Sequence, residues 1–209
     1  MTDSPGEHPP PHPELPTQKP IIFTLHAGEA IYRHHQKIHD PVFFGMSGNY
    51  RFDDPNCDPD NGSPGCFGVL YAGEDPECCL LESCGATTGV PSVSGAYLDA
   101  RTIARMELTE DLRLVDLVEP GGLTSIGADN RLTTGSYSIS QQWSAALRQH
   151  PTKPDGIRYR SRHAPERVAY AIYSRPPSTF SVSSLGSFTD PANDDLFRRI
   201  LKTYKFAFI

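Results

Sequence analysis

The chain has 209 residues, with 19 Lys and Arg against 25 Asp and Glu for a formal net charge of −6; this suits a single domain and disfavours a phosphate-backbone binder. Hydrophobic residues make up 37% and charged residues 21%, apolar enough for a real core and not depleted enough for overall disorder. No stretch approaches the roughly 18 apolar residues of a membrane span, and no basic start followed by an apolar run marks export, so the expectation is a cytoplasmic protein with no membrane and no direct nucleic-acid partner.

The first twenty residues contain seven prolines. Proline fixes φ and offers no N–H, so residues 1–19 are expected to form a disordered tail and 20–209 the folded domain. Pro20–Leu25 reads as a strand. In Gly28–Asp40, His35 and His39 are four apart and would share a face if helical, a weak two-histidine metal signal with no third ligand in pattern. Residues 53–66, DDPNCDPDNGSPGC, are a turn-rich inserted surface loop. Phe67–Ala72 is a compact strand, and Asp75 caps a helix with Pro76 at its first position.

Thr102–Leu108 and Leu112–Val118 alternate around a polar Thr109–Glu110–Asp111 turn, a hairpin signal. Ser138–Gln149 has helical spacing and is stopped by Pro151. Gly156–Tyr159, Val168–Tyr173 and Phe180–Ser184 are short strands. Asp194–Tyr204 is an amphipathic helix, and the final KFAFI is a closing strand. Strands outnumber helices without regular alternation, which points to an α+β fold.

Five cysteines, at 57, 66, 78, 79 and 84, lack zinc-site spacing, and reduced thiols and no metal are expected. Cys78, Cys79 and Cys84 read as small apolar residues on or beside the helix after Asp75. The usual phosphate-loop, dinucleotide and nucleophile-elbow motifs are absent. What stands out are polar residues in apolar settings. Glu82 follows Leu80 and Leu81 late in that helix, and Tyr71 ends the strand before it. Arg33 and Arg51 each follow a tyrosine, and Arg160 and Arg162 flank Ser161. Arginines near one carboxylate suit a substrate with phosphates and a carbon that becomes positive.

These pieces, in order IYR, G-x-x-R-F, VLYAGEDPECCLLES, G-S-Y-x-x-S-Q and D-G-I-x-Y-x-S-R, resemble the RES domain family, named for its Arg, Glu and Ser residues. The likeness runs from about Ile31 to Tyr173. It departs from the family at Gly48, where Asn49 and Tyr50 precede Arg51, and in the insertion that lengthens the gap from Arg51 to Tyr71.

The resemblance implies a compact split sheet like that of ADP-ribosylating toxins, with a cleft for NAD. It implies a toxin of a bacterial toxin–antitoxin pair that degrades NAD as an NAD glycohydrolase or phosphorylase. No resident cofactor is implied: NAD is the substrate and inorganic phosphate a co-substrate if it is the acceptor. Glu82, Arg51 and Ser161 would be catalytic, and Arg33 and Tyr71 would bind substrate. The implied partner is an antitoxin, often with a helix-turn-helix part. Two other readings stay open: transfer of ADP-ribose to a macromolecule, and an inactive module that binds NAD or a partner.

Overall fold

A computed structural model describes residues 8–58, 65–85, 90–174 and 180–209. In chain order the elements are β1 (Ile22–Leu25), β2 (Ala30–Gln36), β3 (Val69–Gly73), α1 (Pro76–Cys84), β4 (Ser92–Val93) and α2 (Gly95–Asp99). There follow β5 (Arg101–Leu108), β6 (Leu112–Asp116), α3 (Gly122–Ser125), α4 (Arg131–Thr134) and α5 (Tyr137–Arg148). The chain closes with β7 (Gly156–Arg160), β8 (Val168–Tyr173), β9 (Phe180–Ser184), α6 (Asp194–Tyr204) and β10 (Ala207–Phe208).

The fold is α+β. Eight strands form one sheet in the order β1-β6-β7-β8-β3-β2-β5-β9, antiparallel except where β6 meets β7. One face, lined by Leu25, Ile31, Leu70, Met106, Leu114 and Ile172, closes on itself as the sheet curls. The other face carries the helices. Trp143 and Leu147 of α5 pack there with Phe52, Tyr159 and Tyr173, while α1, α2 and α6 share a cluster around Leu81, Leu98 and Phe197.

β5 and β6 are strands but not a hairpin. β5 pairs over seven residues with β2 and β6 with β1 and β7, so the 109–111 turn carries the chain between the two halves of the sheet. Alternation marks each strand but does not name its partner. The Glu29 carbonyl accepts from Leu108 N–H, and Gly28 N–H donates to Leu108 O, so the end of β5 is taken by the start of β2.

The expected tail also differs. Residues 1–7 lie outside the described set, but 8–19 lie against the body. Trp143 Nε1 donates to the Pro9 carbonyl at 2.9 Å, the buried His8 ring meets Trp143 edge-on at 5.3 Å, and Leu15 is buried in the core. His150 Nε2 meets the Leu15 carbonyl at 3.1 Å. The segment also forms one 3₁₀ turn, Leu15–Thr17, with Pro16 in its first positions. Proline limits regular structure but not docking: the carbonyls remain free to accept, and Leu15 has an apolar site to fill.

β2 contains His35, so His35 and His39 share no helix face. The C-terminal KFAFI contributes β10, paired in parallel with β4. Among the described residues no helix is long and apolar enough to cross a membrane.

Candidate active site

The site forms where α1, packed against β2 and β3, meets the turn that follows β7. The Asp75 carboxylate accepts from Cys78 N–H at 2.7 Å and starts α1, with Pro76 supplying the preset φ of a first helical position. Cys78, Cys79, Leu80 and Leu81 are buried, as the apolar run requires. Burial pushes the Cys79 thiol up to about 12 and Cys78 still further up, so both behave as inert core groups. Glu82 follows, half-buried at the edge of this apolar surface.

From the opposite side, the turn after β7 brings Ser161. Its hydroxyl donates to Glu82 Oε1 at 2.5 Å and accepts the backbone N–H of His163 and Ala164, each at 3.2 Å. Ser161 is 2% exposed. One hydroxyl therefore both winds the turn and orients the carboxylate.

Arg51 arrives on the 47–54 loop. Its buried Nη1 donates to the Gly135 carbonyl at 3.0 Å and Ser140 Oγ at 3.3 Å, and the guanidinium lies 4.7 Å from the centre of the Tyr137 ring. Nη2 is buried with no partner among the described residues. An unpaired buried donor costs about 1–3 kcal/mol. Burial lowers the Arg51 pKa, with Tyr137 and Glu82 pulling it back up and Arg162 reinforcing the drop; the guanidinium stays charged and sits in the field of Glu82.

The loop is tied at several points. Asp53, 1% exposed, accepts from Ser47 Oγ at 3.0 Å, Tyr50 N–H at 3.1 Å and the Tyr71 hydroxyl at 2.9 Å. The Tyr71 oxygen in turn accepts Phe52 N–H at 2.9 Å. From α5, Gln141 Nε2 donates to the Gly48 and Tyr50 carbonyls at 2.7 and 2.9 Å, and Ser144 Oγ donates to the Phe52 carbonyl at 2.6 Å. Gly48 has φ +67°, and a Cβ there would lie 2.6 Å from the Cys57 carbonyl oxygen, so this turn needs glycine.

The structure brings Glu82 and Ser161 into direct contact and Arg51 into their electrostatic reach. Tyr71 is tied instead to the Arg51 loop, its hydroxyl bonded to Phe52 N–H and Asp53 and its ring 5.7 Å from that of Tyr50. Arg33 is further out. Its Nη1 donates to the Pro41 and Phe43 carbonyls, both at 2.9 Å, and burial lowers its pKa while Cys79 and Tyr50 raise it. Arg162 is exposed and acts electrostatically on Arg51, whereas Arg160 turns away to the Pro165 carbonyl at 3.1 Å.

Residues not singled out from sequence include Tyr50 and Tyr137, exposed by 58% and 43%, and the buried Asp53, Gln141 and Tyr159. Tyr137 and Gln141 lie in the G-S-Y-x-x-S-Q stretch, where their presence was a signal. Asp53 was hidden inside a run that reads as turn. That run also departs from expectation: Asp53 and Asp54 are buried, residues 59–64 lie outside the described set, and Cys57 and Cys66 are disulfide-paired rather than reduced, with Cα atoms 5.4 Å apart. That separation is an ordinary bridging distance. With Asp54 they form the metal-ligand-type cluster among the described residues, but their sulfurs are spent on each other and the Asp54 carboxylate accepts from Asn56 and Phe67 N–H.

Comparison with known proteins places these residues in a family. The RES domain matches residues 30–191. A curated relative from Sinorhizobium fredii (strain NBRC 101917 / NGR234), named "Probable toxin y4kH", is 34% identical over 95 residues, covering 46% of this chain and 74% of the relative. Among solved structures, a chain of the M. tuberculosis MbcT–MbcA toxin–antitoxin complex superposes with a TM-score of 0.54 at 16% identity, covering 85% of this chain and 91% of that one, which is a likeness of fold. The match spans most of the chain, including every element that builds the site, and this protein belongs to the RES domain family.

Proposed function

We propose that the protein is the toxin of a toxin–antitoxin pair and cleaves the nicotinamide–ribose bond of NAD. The observation that carries this reading is the buried Arg51 guanidinium, with Nη2 unpaired, in the field of a carboxylate that Ser161 holds in place. Such a donor suits a ligand oxygen of negative charge, and such a carboxylate suits a carbon that becomes positive. Membership of the RES family and the names of its relatives support the toxin reading.

Breaking the bond builds oxocarbenium character at the ribose carbon, as in glycoside hydrolysis. Glu82 stabilises that charge and orients the ribose hydroxyl, with Ser161 fixing the carboxylate. Nicotinamide leaves with the bonding electron pair and becomes neutral, so no second carboxylate is needed as an acid. Arg51, assisted by Arg162, takes the pyrophosphate, since a planar fork matches phosphate oxygens in two places. The exposed Tyr50 and Tyr137 rings offer faces for the nicotinamide or adenine, with Tyr71 behind Tyr50. Arg33 serves the outer end of the same cleft. The partner in this reading is an antitoxin protein that covers the site.

The test is incubation of the full chain with adenine-labelled NAD, with and without inorganic phosphate. Free nicotinamide and labelled ADP-ribose support a glycohydrolase, and a phosphate-dependent rate supports a phosphorylase. Label carried on a macromolecule establishes ADP-ribosyl transfer instead, and intact NAD overturns the reading.

A further inference from the structure

His163 lies two residues beyond Ser161 and has no part in the mechanism above. Its backbone N–H is one of the two that close the turn on Ser161 Oγ. That turn lays the imidazole on the C-terminal end of α1, against Gly85. A Cβ at position 85 would come within 2.4 Å of His163 Cγ and 2.7 Å of its Cβ, so any side chain there would displace the ring. Glu82 sits three residues earlier on the same helix, the spacing of neighbours on one face.

The buried histidines His8, His34, His35 and His150 each spend a ring nitrogen on a protein partner. The half-buried His163 ring makes no such bond among the described residues. The charged groups that act on it are Glu82 from α1, Arg51 from its loop and Arg162 from its own turn.

We propose that His163 is the base that takes the proton from the water attacking the ribose carbon, a role that rests on the NAD-cleaving reading and deepens it. The ribose C–N bond breaks with its electron pair going to nicotinamide. The water oxygen bonds to the ribose carbon, and one water proton passes to the imidazole and then to solvent. The sum is NAD⁺ and water giving ADP-ribose, nicotinamide and one proton. Burial lowers the His163 pKa, opposed by Glu82 and reinforced by Arg162 and Arg51, so the imidazole is neutral and able to accept at pH 7. Phosphate is already an anionic nucleophile at that pH and needs no such base, so this assignment makes water the acceptor.

The experiment compares nicotinamide release by the full-length protein and His163→Ala from pH 5 to 8.5, with and without added imidazole. The expected result is a loss of about 100-fold, disappearance of the acid-side fall in rate that the unmodified protein shows, and partial recovery with imidazole. Should the alanine variant misfold by circular dichroism, His163→Gln is measured in its place. Unchanged rate and pH profile, or a loss that imidazole does not restore in a folded variant, overturns the role of His163 and leaves the NAD reading standing. An unmodified protein that releases no nicotinamide overturns both.

Discussion

Ser161 and Glu82, 79 residues apart in sequence, are joined by a hydrogen bond of 2.5 Å from hydroxyl to carboxylate oxygen. This bond ties the end of β7 to the edge of α1. It uses a hydroxyl already holding two backbone N–H groups, so the carboxylate is positioned by a turn and not by a mobile side chain. Ser161→Ala removes all three interactions. The expected outcome is a stability loss of about 1–3 kcal/mol in urea melts and a fall in turnover of about 10- to 100-fold, while Ser161→Thr, which keeps the hydroxyl, loses less of both.

Tyr71 separates loop support from ring contact. Tyr71→Phe keeps the ring but leaves Phe52 N–H unpaired and takes one of three donors from buried Asp53. Stability should drop by about 1–3 kcal/mol, and KM for NAD should rise as the Arg51 loop loosens. An unchanged urea midpoint would show that the hydroxyl carries no load.

The N-terminal strap is a structural part of the domain. Leu15→Ala removes a side chain 2% exposed in the main core, and a loss of about 2–4 kcal/mol is expected. Glu14→Ala, on the exposed side of the same turn, should stay within about 0.5 kcal/mol. Equal melting temperatures for the two variants would mean that the strap does not dock.

His34 links stability to pH. It is buried, with Nδ1 paired to Ser83 Oγ at 2.9 Å and its ring 5.2 Å from Phe188. Burial, helped by Arg101 and His35, lowers its pKa to about 3. The folded state therefore keeps it neutral, while the unfolded chain takes up a proton near 6.5. Stability contributed in this way is complete above 6.5 and is lost as pH falls from there toward 3, by at most about 1.4 kcal/mol per pH unit. Urea midpoints at pH 7.5 and 5.5 measure this, and His34→Gln should show the shallower dependence.

The local grammar of the fold was legible in the sequence. Asp75 and Pro76 announced α1, the β-rich runs announced β3, β7 and β8, and Glu82 and Ser161, singled out far apart in the chain, are joined by a hydrogen bond. Partnership was not legible. The alternation in β5 and β6 is the same whether the strands pair with each other or with β2 and β1. The proline-rich strap showed its resistance to long helix or sheet but neither its one 3₁₀ turn at Leu15–Thr17 nor the Trp143 donor that its Pro9 carbonyl meets. Asp53 reads as turn chemistry because buried acids and turn acids look alike until the donors around them are placed. The same limit hid the place of His163, whose side chain lies against Gly85, remote in sequence.

The most direct measurement is turnover and NAD affinity of Glu82→Gln beside the unmodified protein. The amide keeps the shape and can still accept from Ser161, but it removes the charge proposed to face the ribose. On the proposed role of Glu82, nicotinamide release falls by at least about 100-fold, with NAD binding within a few-fold and an unchanged melting temperature. A variant that binds NAD and releases nicotinamide at the original rate would contradict it.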